Sequence, residues 1–165
     1  MIEIYIFLIH FICYWGMVYE YDKSVPPQIF WKSAKNSLKN QILYTLPSIY
    51  LLVNYYPIKY DNILLSFGYI PFLVITGDCY FYITHRPLHT KILFNLHKSH
   101  HNGIVHVAKS LDADGIEHIV GNLGSFIIGI LLLQYFGYII NIYVLEFWVG
   151  FSTINTCIIH SNKNC

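Results

Sequence analysis

Long apolar runs constrain this chain more than any other feature. Five of them, at about residues 2–19, 42–58, 63–84, 119–134 and 138–159, alternate with polar segments. A helix needs about 20 apolar residues to cross a bilayer, with about 17 the lower limit. Stretches 42–58 and 119–134 are short by that measure and read as tilted spans or as hairpin arms. Only 12% of the 165 residues are charged, where soluble domains carry about 25%, and mean hydropathy is +0.46. Lipid is therefore the expected solvent. Residues 1–19 hold Glu3 and no Lys or Arg. No small-residue cleavage site follows, so this run reads as a retained span rather than a signal peptide. Pro47 and Pro71 interrupt two runs, which membrane helices tolerate better than soluble ones. The expected fold is an all-α polytopic membrane helical bundle, one domain over 1–165.

The charges sort by segment. Lys23, Lys32, Lys35 and Lys39 lie in 20–41, and Arg86, Lys91, Lys98 and Lys109 lie in 85–118. The turn near 59–62 has one Lys and one Asp, and the turn near 134–138 has neither Lys nor Arg. By the positive-inside rule, 20–41 and 85–118 face the cytosol. Stretches 42–58 and 63–84 then form one helical hairpin, and 119–134 and 138–159 another. The tail from His160, with Lys163, returns to the cytosolic side. His85, His89, His97, His100, His101 and His160 thus reach one membrane face, the first five within a histidine-rich helical cap over 85–118. A net charge of +1 gives no electrostatic case for nucleic acid. Cys13, Cys79, Cys157 and Cys165 form no C-x-x-C pair, so neither a disulfide framework nor a thiolate zinc site is expected.

Nine histidines are many for this length, and five fall within His85–His101. They read H-R-P-L-H, then H-K-S-H-H. Residues spaced i, i+3 and i+4 share a helix face, so His97, His100 and His101 can aim at one point. His85 and His89 can do the same, although Pro87 between them favours a kink. Imidazoles gathered in one volume repel if protonated and ligate if neutral. Neutral imidazole suits iron, zinc, copper or nickel. A metal site is favoured over a solvated basic loop. Asp78 precedes His85 on nearly the same helical stripe. Its carboxylate either accepts an imidazole N–H from a ligand or reaches water at the interface. His10 is expected to pack or hydrogen-bond within its span, His106 to be a loop residue, and His118 to pair locally with Glu117.

The run DCYFYITHRPLHTKILFNLHKSHH, from Asp78 to His101, resembles the sterol desaturase and fatty acid hydroxylase superfamily. That superfamily carries an acid, then HR-x-x-H, then HK-x-HH. The gap between His89 and His97 is similar to that of methylsterol oxidases and cholesterol hydroxylases. IIHSN, at His160, resembles the family's H-S-G. AKSLDADGIEH is similar to the stretch before H-P-x-E, with Glu117 as the acid. The resemblance implies a di-iron centre (zinc being an alternative occupant) held by eight or more histidines, of which six are present: His85, His89, His97, His100, His101 and His160. It implies Asp78 and Glu117 in support of the ligands. It also implies dioxygen, electrons from a cytochrome or reductase, and hydroxylation, oxidation or desaturation of a sterol or fatty acyl C–H bond at the endoplasmic reticulum. Asn162 stands in place of the Gly, and Asp114 and Gly115 in place of His and Pro. The family's last HxxHH does not occur before Cys165, so the chain reads as truncated. Alternative expectations are a non-catalytic relative with a partial metal site, and a metal transporter or sensor. The latter predicts ionisable residues along many spans, where only His10 and Glu146 lie deep.

Overall fold

The computed structural model describes residues 1–60, 62–101 and 103–161, apart from the side chains of Leu96, Ser99 and His100. Among the described residues, four helical segments are long and apolar enough to cross a membrane: Ile2–Tyr21, Ile63–His89, Gly115–Tyr135 and Ile142–Ile159. Helix α1 is Ile2–Tyr21. Helix α2, Pro27–Asn40, opens on a proline whose missing N–H costs nothing in a first turn. It runs through a π turn, Gln41–Thr45, into α3, Leu46–Tyr55. Strand β1 is Ile58–Lys59. Helix α4, Ile63–Phe67, starts where Asn62 accepts the Leu65 N–H at 3.1 Å. Helix α5, Ile70–His85, passes into a 3-10 turn, Arg86–His89, and α6 is Phe94–His101. Helix α7, Gly115–Glu117, is capped by Asp114 and continues through a π segment, His118–Leu123, into α8, Gly124–Tyr135. Strand β2, Ile140–Asn141, precedes α9, Ile142–Ile159. The outcome is the expected all-α membrane bundle.

Helix α5 packs along α8, α1 along α9, and α3 against α1. Small residues let α5 and α8 approach closely, as membrane helices require where lipid supplies no hydrophobic drive. A Cβ on Gly77 would lie 2.9 Å from the Ser125 carbonyl oxygen, and one on Gly129 would lie 2.5 Å from Thr76 Oγ1. The main apolar cluster includes Ile6, Ile49, Leu73, Ile130 and Leu145. A second one, around Tyr14, Val107, Ala108 and Cys157, lies where the chain crosses between α6 and α7.

Stretch 42–58 is not among the four spans. Its residues belong to the unbroken helical run from α2 through the π turn into α3. That run still connects two ends of the bundle. Thr45 bonds His118 at the start of the α7–α8 segment, and Ile58 pairs with Ile140 in the parallel β1–β2 contact. This pairing holds residues 58–59 and 140–141 side by side. His85 and His160 lie at the other ends of α5 and α9.

The 103–114 loop is fixed by buried hydrogen bonds. Asp22, just past α1, accepts from His106 Nδ1 at 3.0 Å and from the Val107 and Ala108 N–H groups at 2.8 and 2.7 Å. The Ala108 carbonyl accepts from Tyr14 at 2.9 Å and Ser37 at 2.7 Å. Asn40 donates to the carbonyls of Leu111 and Ala113 at 2.8 and 3.0 Å. The loop that connects α6 to Glu117 is therefore set by α1 and α2.

Candidate metal centre

Four imidazoles converge at the junction of α5 and α6. His85 closes α5 and His89 closes the following 3-10 turn. Pro87 ends the α-helix without separating them, and their Nε2 atoms lie 3.2 Å apart. His97 and His101, one turn apart on α6, bring their Nε2 atoms to 2.6 Å. The two pairs meet, with ring centroids 4.5 Å apart for His85 and His97 and 4.9 Å for His89 and His101. One ligand atom from each of the four lies within 4.8 Å of the others. Phe81, one turn before His85, stacks on its ring at 4.6 Å and sets its plane.

His97 is the buried member, with 0% exposure. Its Nδ1 lies 2.6 Å from Glu117 Oε1. Burial, then the neighbouring His85, His101 and His89, push its pKa down to about 4. It is therefore neutral at neutral pH. Nδ1 carries the proton and donates to Glu117, which leaves the Nε2 lone pair pointing into the cluster. His101 is lowered as well, by burial and by His89, Lys109 and His160.

These donors fit a transition-metal ion. Two imidazole nitrogens at 2.6 Å, one of them a lone pair, repel unless a proton or cation lies between them. Neutral imidazoles are the usual donors to iron, zinc, copper and nickel. A carboxylate that fixes the tautomer of one ligand is the common supporting arrangement.

The remaining expected residues fall in different places. His160, just past α9, donates from Nδ1 to the Thr156 carbonyl at 2.8 Å. It lines the same cavity as His85 and His101 but is outside the group of four. Burial lowers its pKa. The side chain of His100, and Asn162, lie outside the described residues. Asp78 lines that cavity and, among the described residues, makes no hydrogen bond to a histidine. His10 bonds Thr153 and Gln41, the hydrogen-bonding role expected of it. His118 bonds Thr45 and Asn122 instead of Glu117, because Glu117 turns to His97. His106 is a loop residue, held by Asp22. Sequence reading missed Asp22, whose only signal was an acid at the end of an apolar run.

Below the imidazoles, α1, α3, α5, α8 and α9 enclose a cavity of about 620 Å³. Its far part is apolar, lined by Leu52, Val74, Phe126 and Trp148. A family model described as fatty acid hydroxylase matches residues 70–165. The matched region runs from α5 through α9 and contains His85, His89, His97, His101, Glu117 and His160. No curated protein and no solved structure matches the chain.

Proposed function

We propose that this chain, which belongs to the fatty acid hydroxylase family, is an iron-dependent oxidoreductase that hydroxylates, oxidises or desaturates a C–H bond of a sterol or fatty acyl lipid with dioxygen. The observation that carries the reading is the convergence of His85 and His89 with His97 and His101, directly above an apolar cavity in a membrane bundle. Bound iron would supply the activation of dioxygen and the oxidising power for the C–H bond.

The residues of the chain supply the remaining requirements. His85, His89, His97 and His101 would hold an ion through neutral nitrogens, which leaves its positive charge uncancelled. Glu117 keeps the proton on His97 Nδ1, so that Nε2 remains the donor. His100 and His160 are the further ligand candidates, and a second ion would need them. Val74, Phe81, Phe126 and Trp148 exclude water from the cavity and give an alkyl chain or ring system an apolar wall.

The family and the lysine-rich segments support an orientation with the histidines at the cytosolic face of the endoplasmic reticulum. A cytochrome or reductase would deliver electrons there. The test is metal and product analysis of protein purified in detergent. Iron bound per chain, its loss in His97→Ala, and oxygen-dependent conversion of a lipid after reduction are expected. Protein that binds no transition metal after iron supplementation would overturn the reading.

A further inference from the structure

Helix α2 has three edges with different surroundings. Ser33, Ala34, Ser37 and Asn40 form the buried edge. Ser37 and Asn40 bond the carbonyls of the loop that leads to Glu117, which puts α2 at the histidine end of the bundle. The Asn36 amide adds a bond to Asp112 Oδ1 at 2.7 Å. Trp31 and Leu38, about two turns apart, form an exposed apolar edge, with Trp31 59% exposed. Lys32, Lys35 and Lys39 follow one another at i+3 and i+4 spacing and form an exposed basic edge. Lys35 is i+4 to Trp31 and i−3 to Leu38, so the two outer edges adjoin.

The basic edge has no acid to neutralise it. No Asp or Glu occurs between Lys23 and Tyr60. Lys23 pairs with Glu20 at 2.9 Å, and Lys109 is buried. Among the described residues, Lys32, Lys35 and Lys39 make no hydrogen bond or ion pair. Asp112 and Asp114 line a hollow with Lys32 and Lys39, but both are engaged elsewhere. Asp112 accepts from Asn36, and Asp114 accepts from the Ile116 N–H at 3.0 Å.

This combination suits a lipid headgroup layer better than a soluble partner. Helix α2 runs without a break into α3, which packs on the spanning helix α1, so its outer edges emerge directly from the bundle. At a membrane–water interface an indole sits at headgroup level, while a lysine stem covers apolar surface and its ammonium reaches phosphate. We infer that the outer edges of α2, Trp31 with Leu38 and Lys32 with Lys35 and Lys39, form a docking surface for anionic phospholipid headgroups. The surface seats the histidine end of the chain against an anionic leaflet. It does so whichever ion the histidines hold, so the inference does not depend on the oxygenase reading.

The test is quenching of Trp31 fluorescence in the full chain in phosphatidylcholine bilayers at neutral pH and low salt. Brominated-chain phosphatidylserine is compared with brominated-chain phosphatidylcholine. Trp31→Phe, measured in parallel, removes the contribution of Trp15 and Trp148. Phosphatidylserine is expected to associate at least about fivefold more strongly, the effect of a single lysine near anionic headgroups. Lys32→Gln, Lys35→Gln and Lys39→Gln together, all at exposed positions, should reduce the ratio to about twofold or less. Salt at about 0.5 M, where the Debye length is roughly 4 Å, should do the same in the native chain. Arginine at all three positions keeps the charge and should keep the preference. Equal association of the two lipids with the native chain, or a preference that survives the triple Gln variant, would overturn the inference. Equal association together with a soluble acidic cytochrome domain bound through these lysines would assign the surface to a protein partner instead.

Discussion

The histidines at the α5–α6 junction meet other imidazoles through Nε2, whereas the hydrogen bonds of His10, His106 and His118 among the described residues go to other groups. His85, His89, His97 and His101 face one another, with nitrogen pairs at 3.2 and 2.6 Å. His10 faces a hydroxyl and an amide, His118 does the same, and Nδ1 of His106 faces a carboxylate. An imidazole has one donor and one acceptor when neutral. Hydroxyl, amide and carboxylate partners complement it and fix a tautomer. Imidazole partners accumulate lone pairs in a small volume, which a cation relieves. Burial does not separate the two groups, since His97, His106 and His118 are all buried. The imidazole–imidazole contact does, since His97 also has a carboxylate partner in Glu117, as His106 has in Asp22.

The largest test of that contrast exchanges the two kinds of histidine. His97→Ala and His101→Ala should each weaken iron binding by more than the roughly 10–100-fold that a supporting residue contributes. His10→Gln should leave iron content at the native level and lower the melting temperature. Elemental analysis beside thermal unfolding reads both. Native iron content in His97→Ala would break the comparison.

Next in size is Asp22→Ala, which leaves three buried donors of His106, Val107 and Ala108 without their acceptor. At about 1–3 kcal/mol for each unsatisfied group, partly relieved by relaxation, the expected loss is roughly 3–5 kcal/mol. Denaturant titration measures it. Iron stoichiometry in the folded fraction should not change, because Asp22 acts on the loop rather than on the ligands. A smaller effect is expected for Glu117→Gln. The amide oxygen can still accept from His97 but carries no charge, so iron affinity should fall by about 10–100-fold. An unchanged affinity would show that Glu117 only packs.

The sequence revealed the bundle and the ligand spacing because both are local patterns. Apolar run length reports the spans, and HxxxH and HxxHH report which imidazoles share a helix face. Stretch 42–58 was harder to read, since it is not one of the four long spans but part of a helical run in which Gln41 and Thr45 make polar contacts. Tertiary partners were not legible at all. Glu117 could have served either His118 or His97, and only the loop held by Asp22 decides for His97.

The smallest predicted effect concerns acid. The folded pKa of His97 is about 4, below the free value of about 6.5. Above pH 6.5 this imidazole is neutral in both folded and unfolded chains, and its contribution to stability is fully present. Between pH 6.5 and 4 the unfolded chain takes up a proton that the folded chain resists, so stability falls as pH falls. His101 and His160, lowered mainly by burial, act in the same direction. Metal-free protein should therefore melt lower at pH 5 than at pH 7, by on the order of a few degrees. His97→Gln should flatten that dependence. Iron-loaded protein should show a steeper loss over the same interval, because protons displace the metal from its nitrogens as well. A metal-free protein whose melting temperature rises on acidification would mean that these imidazoles are stabilised as cations. In that case the cluster would resemble an anion-binding site more than a metal site.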